Sequence, residues 1–355
     1  MAQQFQPGFG VEGNFMAGKV VKHSEKFTLP IPTLTTCYDV NFLWKTYGRK
    51  PWHKTRHYPV VGFGLTYIDY GMNSVYGQSI GLYTDVQMTF LRRGNWEWTF
   101  RLGDGVGYIS KHYQTTPPID TVNVAIGTHI NDFGIFMTDL RYHLNNHFDL
   151  QAGAQFTHMS NGDYRNPNLG INAYGAHIGF RYAPVTSRPK HVEPDTAKTP
   201  PNHWYTELRL GIAYNEARTT GNPELPTYVV SLSEARRLGG KDKIFFGTYA
   251  DYSQSTYAFL KHYGVDYGHE KQNAWDGAVF AGNEFLVGHV GISIEMGVYY
   301  KQTFLAFVPF YERFGGTYYV LQREMGILKT VAITTRLLTH GAVAQYVEFG
   351  MGVGF

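Results

Sequence analysis

Apolar residues recur at every second position along much of this chain, over runs longer than an ordinary sheet uses. Ile80, Leu82, Val86, Met88 and Phe90 share one face, with Gly81, Tyr83, Asp85, Gln87 and Thr89 on the other. Val290, Ile292, Ile294, Met296, Val298 and Tyr300 oppose Gly291, Ser293, Glu295 and Gly297. The last run, Val347, Phe349, Met351, Val353 and Phe355, opposes Glu348, Gly350 and Gly352. A period of two is the signature of a strand with one apolar face. Several runs pass the ~9 residues that a tilted strand needs to cross a bilayer. Sandwich strands are usually shorter, ~5–6 residues.

Composition fits the same reading. The 355 residues include 40 Gly, 27 Tyr, 24 Phe and 6 Trp, as a β-rich protein with aromatic girdles would. Apolar residues make up 43%, yet mean hydropathy is −0.28, and no segment approaches a spanning helix of ~20 apolar residues. A net charge of +3 gives no case for a nucleic-acid partner. Cys37 is the one cysteine, so no internal disulfide forms. The start, Met1-Ala2-Gln3-Gln4, is polar and lacks the apolar core of a leader, so a leader is expected to have been removed.

Strands are expected near 8–21, 35–47, 58–70, 79–92, 96–113, 133–145, 148–160 and 172–182. A second set is expected near 204–217, 226–236, 243–253, 274–286, 288–301, 317–326, 328–339 and 344–355. That is about sixteen, an even number, as single-chain bacterial barrels have. Connections alternate between short (Arg92-Arg93-Gly94-Asn95, Asn145-Asn146-His147) and long (22–34, 114–132, 161–171, 254–273). Short turns at one end and long loops at the other are the habit of outer-membrane barrels. The expected fold is therefore an all-β antiparallel transmembrane β-barrel, built from two eight-strand repeats. Residues 1–182 form the first unit, 183–203 a Pro-rich linker, and 204–355 a degenerate second unit ending in the Phe355 strand. The long linker, where a short turn is due, favours two small barrels. The single terminal-strand signature favours one large barrel, and one barrel is the preferred expectation.

The stretch Phe156–Tyr182 carries the chemistry. His158 and Ser160 sit two apart, on the face that also bears Leu150, Ala152, Ala154 and Phe156. In a membrane barrel that face meets lipid. A Ser hydroxyl is a weak nucleophile until a base takes its proton, and His158 is placed to be that base. The imidazole needs a partner to fix its tautomer, and an Asn carbonyl can serve. Asp163 is a reserve acid. A tetrahedral oxyanion needs donors, which Asn161, Gly162 and Asn168 offer.

The segment His158-x-Ser160-Asn161, followed by Pro167-Asn168-x-Gly170-Ile171, resembles the lipid A 3-O-deacylases, outer-membrane acyl hydrolases. The resemblance covers about residues 8–182, with a degenerate echo over 204–355. It implies Ser160 as nucleophile, His158 as base, and Asn161, Gly162 and Asn168 at the oxyanion. Gly170 and Phe156 complete the substrate-binding set. The family's acid position falls on Asn172, where this chain departs from Glu.

These observations lead to an expected function. The chain would be an outer-membrane serine esterase that removes an ester-linked acyl chain from lipid A or another outer-leaflet lipid, with no metal or cofactor. A homo-oligomer is left open. The rival readings are a non-enzymatic barrel (channel, scaffold or surface-interaction protein), a soluble lipid-binding barrel or sandwich, and an outer-membrane phospholipase. Thr339-His340 is read as structural and Glu348 as pointing into a barrel. Asp104 stands oddly on an apolar face.

Overall fold

The computed structural model describes residues 8–22, 24–184, 203–216, 221–302, 308–323, 326–341 and 343–355. Met1 to Gln4 and most of the Pro-rich segment 183–203 lie outside the described residues. The chain divides into two compact units.

The first unit contains β1 (Phe9–Val20), β2 (Thr35–Lys45), a short helix α1 (Pro51–Thr55), β3 (Val60–Asp69) and β4 (Gln78–Arg93). It continues with β5 (Trp96–Ile109), β6 (Ile130–His143), β7 (Phe148–Ser160) and β8 (Ile171–Tyr182). Each strand pairs antiparallel with its sequence neighbour, and β1 closes on β8 from Val11↔Tyr182 to Val20↔Ala173. The connections after β2, β4 and β6 lie at one end, the turn end. Those after β1, β3, β5 and β7 lie at the other, the loop end.

The second unit contains β9 (Trp204–Glu216), β10 (Glu224–Leu238), β11 (Asp242–Ser253), α2 (Gln254–Tyr263) and α3 (Glu270–Asn273). It continues with β12 (Trp275–Val287), β13 (Val290–Lys301), β14 (Phe310–Gln322), β15 (Thr330–His340) and β16 (Val343–Gly354). It closes by pairing β16 with β9, from Glu348↔Ala213 to Gly354↔Glu207.

The expectation of one continuous sixteen-strand barrel is therefore wrong: there are two closed barrels of eight strands each. The reason is edge satisfaction. Once β1 pairs β8, every ladder in the first unit has a partner and no open edge remains to accept β9. The Phe355 strand signature marks only the strand that pairs β9.

In both units the alternation places apolar side chains outward and polar ones inward. Phe42, Phe63, Leu82, Leu140 and Phe180 are exposed on the first barrel, and Leu210, Phe246, Met296 and Phe349 on the second. Such continuous apolar surface exceeds what soluble monomers carry. No helix among the described residues is long and apolar enough to cross a membrane.

The interior of the first barrel is layered. Toward the turn end, Glu12 binds Arg101, Arg141 and Arg181, the last at 2.8 Å, and Arg101 also reaches Asp39 at 3.0 Å. Toward the loop end the filling is apolar, with Met16, Val20, Ile109, Phe133, Met159 and Ile171 buried. An eight-strand barrel is just wide enough for such side chains. The second barrel buries Lys243 with Glu284 (2.7 Å), Arg313 with Glu295 (2.9 Å) and Arg336 with Glu348 (2.7 Å). Glu348 thus points inward as expected. This inward ionic face explains why β14 starts at Phe310, seven residues before the expected 317. Tyr311 and Arg313 are interior residues there, while in sequence Glu312-Arg313 reads as a polar loop.

Candidate active site

β7 carries His158 and Ser160 outward at the loop end of the first barrel. In the register of β7 with β8, His158 stands directly opposite Asn172. The side chains meet: His158 Nδ1 lies 2.5 Å from Asn172 Oδ1, and His158 Nε2 lies 3.1 Å from Ser160 Oγ. With Nδ1–H donating to the Asn172 carbonyl, Nε2 keeps its lone pair toward the Ser160 hydroxyl. That is the tautomer a general base requires. Asn172, rather than the reserve Asp163, lies against Nδ1. Ser160 is only 7% exposed although it lies on the outward face, and a Cβ on Gly170 of the adjoining loop would stand 3.5 Å from its Cβ.

That loop, 161–170, is held from two sides. The Asn161 N–H donates to Asn168 Oδ1 at 2.9 Å. The N–H groups of Leu169 and Gly170 both donate to the Ala125 carbonyl, at 2.9 and 3.0 Å, and Ile126 forms a bridge with Asn168. Ala125 and Ile126 belong to the connection between β5 and β6 and are fully buried. The same connection is braced where Lys111 donates to Asp120 at 2.9 Å, a bond that holds the Asp120 carboxyl below its ordinary range.

Gly170 is a position only glycine suits. Its φ is +76°, and a Cβ there would stand 3.2 Å from His158 Cε1 and 3.3 Å from the Met159 carbonyl. Gly162 also has positive φ, +62°. Asn168 spends Oδ1 on the Asn161 amide, so its Nδ2 is the end that could face an oxyanion. The Asn161 N–H is already committed to Asn168. Phe156 lies one outward position before His158, with its ring 6.0 Å from that of Phe136.

The register adds two residues to the neighbourhood. Asp132 on β6 pairs directly with Ser160, and Asp104 on β5 pairs with Gly134, which pairs with His158. Both aspartates are exposed on the outward face. Asp104 was visible in sequence as an interruption of an apolar face. Asp132 was missed, although Ile130, Gly134 and Phe136 around it mark the same kind of interruption. Thr339 and His340 do not repeat the arrangement. His340 continues the inward series Thr334, Arg336 and Leu338 of β15, and its Nε2 lies 2.9 Å from the Tyr299 hydroxyl.

The first unit is thus a closed eight-strand barrel whose outer wall presents a serine, histidine and asparagine in hydrogen-bonded series, a hydrolase-like constellation. Residues 36–181 match the family described as lipid A 3-O-deacylase (PagL), and residues 202–355 match the acyloxyacyl hydrolase C-terminal domain. The first match spans β2 to β8 and the second spans β9 to β16, so each barrel is similar to a hydrolase family of its own.

Among solved structures, the outer membrane enzyme PagL is 15% identical, covering 48% of this chain and 99% of its own, with a TM-score of 0.31. Neisserial surface protein A is 11% identical, covering 49% and 96%, with a TM-score of 0.32. A Rhodopseudomonas blastica porin mutant is 8% identical, covering 99% and 100%, with a TM-score of 0.19. The two-barrel architecture rests on the strand pairing itself. No curated protein matches the chain.

Proposed function

We propose that this protein is an outer-membrane serine esterase that removes an ester-linked acyl chain from lipid A. The observation that carries the proposal is the series Asn172–His158–Ser160 on the lipid-facing side of a barrel. Ser160 Oγ attacks the ester carbonyl carbon while its proton passes to His158 Nε2. Asn172 holds the imidazole through Nδ1 as it becomes cationic. The oxyanion is met by Asn168 Nδ2 and the Gly162 N–H. His158 then returns the proton to the departing sugar oxygen, leaving an acyl-Ser160. A water deprotonated by His158 releases the fatty acid and restores the serine.

An Asn stabilises an imidazolium less than a carboxylate does. Asp132 and Asp104 supply negative charge on the same wall, in surroundings where charge is otherwise costly. The acyl chain lies along the outward face over Phe156 and the small pair Ala154↔Ala176, and the substrate reaches it by diffusing in the bilayer plane.

The test is mass spectrometry of lipid A incubated with the purified protein in detergent, beside Ser160→Ala and His158→Ala. Loss of one acyl chain, abolished by both substitutions, is the expected result. An unchanged mass spectrum, with no gain from Asn172→Glu, would leave the non-enzymatic barrel as the better reading. The neutral Asn172 is what favours that alternative.

A further inference from the structure

The turn end of the first barrel, opposite Ser160, carries a feature the chemistry above does not use. Between Lys45 and Tyr58 the chain has five Lys or Arg residues and no Asp or Glu. This segment folds into a knuckle around α1, with Arg49, Lys50 and Lys54 exposed and the Trp52 ring packed 4.3 Å from that of His53. Next to it, β4 outruns its neighbour. The pairing with β3 ends at Val60↔Gln87, whereas the pairing with β5 continues to Arg93↔Trp96.

The overhanging hairpin exposes Phe90 (61%), Leu91, Trp96 and Trp98, and its tip is Arg92-Arg93-Gly94-Asn95. The nearby acids do not offset these cations at the surface. Glu97 is buried and bonded to Arg92 at 2.8 Å, and Asp149 is buried against His143 at 2.7 Å. Just inside the cations lies an aromatic belt: Phe9 with Trp44 (5.7 Å), Trp96 with Tyr142 (4.8 Å) and Phe148 with Tyr182 (5.1 Å). Exposed cations one step beyond a belt of Trp and Tyr are the arrangement that meets lipid phosphates.

We propose that this end of the barrel, at Arg49, Lys50 and Arg93, binds the phosphates of anionic phospholipid in the leaflet away from Ser160. The occupant is bilayer lipid rather than free phosphate, because the belt supplies contact for acyl chains and glycerol directly beneath the cations. The inference rests on the membrane reading above and not on the hydrolase chemistry.

The test uses the full chain in neutral detergent, with phosphatidylglycerol or phosphatidylcholine of equal chain length added and retained lipid counted by native mass spectrometry. Retention of phosphatidylglycerol should exceed that of phosphatidylcholine on the order of tenfold, since each cation near a lipid surface contributes a few-fold. The combined variant Arg49→Gln, Lys50→Gln and Arg93→Gln should lose the preference while keeping its heat-shifted gel mobility and its Ser160-dependent deacylation. Should the variant fail to fold, raising the salt on the unaltered protein tenfold should remove the preference.

Equal retention of the two lipids, or a preference that survives both the variant and salt, overturns the proposal. So does displacement by millimolar glycerol phosphate, which would mean a free-phosphate site. A protein that stays in solution without detergent and retains neither lipid would instead sink the membrane reading beneath it.

Discussion

Asn172 and Gly170 are the two positions where a single atom decides what His158 can do. Asn172 fixes the tautomer but brings no charge. Asn172→Glu is therefore expected to raise deacylation at least tenfold, and Asp132→Asn to lower it severalfold; time-resolved mass spectrometry of lipid A reads both. If Asp132→Asn leaves the rate unchanged, the carboxylate opposite Ser160 has no part in balancing the imidazolium. Gly170→Ala forces a left-handed backbone on an L residue and pushes a methyl toward His158 Cε1. It should cost about 1 kcal/mol of stability and at least tenfold in rate, with urea midpoint and rate measured on the same preparation. The Ser160 and His158 pair was legible in the sequence because period two puts them on one face. Asp132 was not, because its place opposite Ser160 depends on the register between β6 and β7.

At the scale of elements, the α1 knuckle and the interior of the first barrel each make a prediction. His53 is buried in the knuckle, where its Nδ1 accepts the Gly48 N–H at 3.2 Å. Burial, helped by the Lys50 charge, pushes its imidazole down to about 4. An unfolded His titrates near ~6.5, so the opened knuckle binds the extra proton between those values. The contribution of neutral His53 is complete above the unfolded value and is lost as pH falls from there toward about 4. Amide exchange of residues 53–58 should accelerate over that window in excess of intrinsic exchange, and His53→Asn should flatten the excess. Inside the barrel, Glu12 touches three arginines. Glu12→Gln leaves buried cations uncompensated and should destabilise the barrel by about 3–5 kcal/mol in a urea titration. A change below 1 kcal/mol would mean that Asp39 and Asp85 carry the compensation. The strand set was largely legible from alternation, and β14 was the notable miss. Its inward Tyr311 and Arg313 gain their partner, Glu295, only from β13.

For the molecule as a whole, closure is the property that the strands do not announce singly. Because β1 pairs β8, residues 1–184 expressed alone should refold in detergent with heat-shifted mobility. A fragment that refolds only with the rest of the chain would contradict independent closure of the first barrel. The sequence by itself determined that the chain is all-β, antiparallel and apolar on its outer face, because a period of two is a property of each strand. It also determined which residues share the face of Ser160, and it located the loop whose glycine and asparagines adjoin it. Tertiary structure decided that sixteen strands close as two barrels, since alternation states which way a side chain points and not which strand it pairs. The same holds for Asp132 beside Ser160 and the cations gathered at the turn end. Each of these is a relation between distant segments, fixed by ladder register.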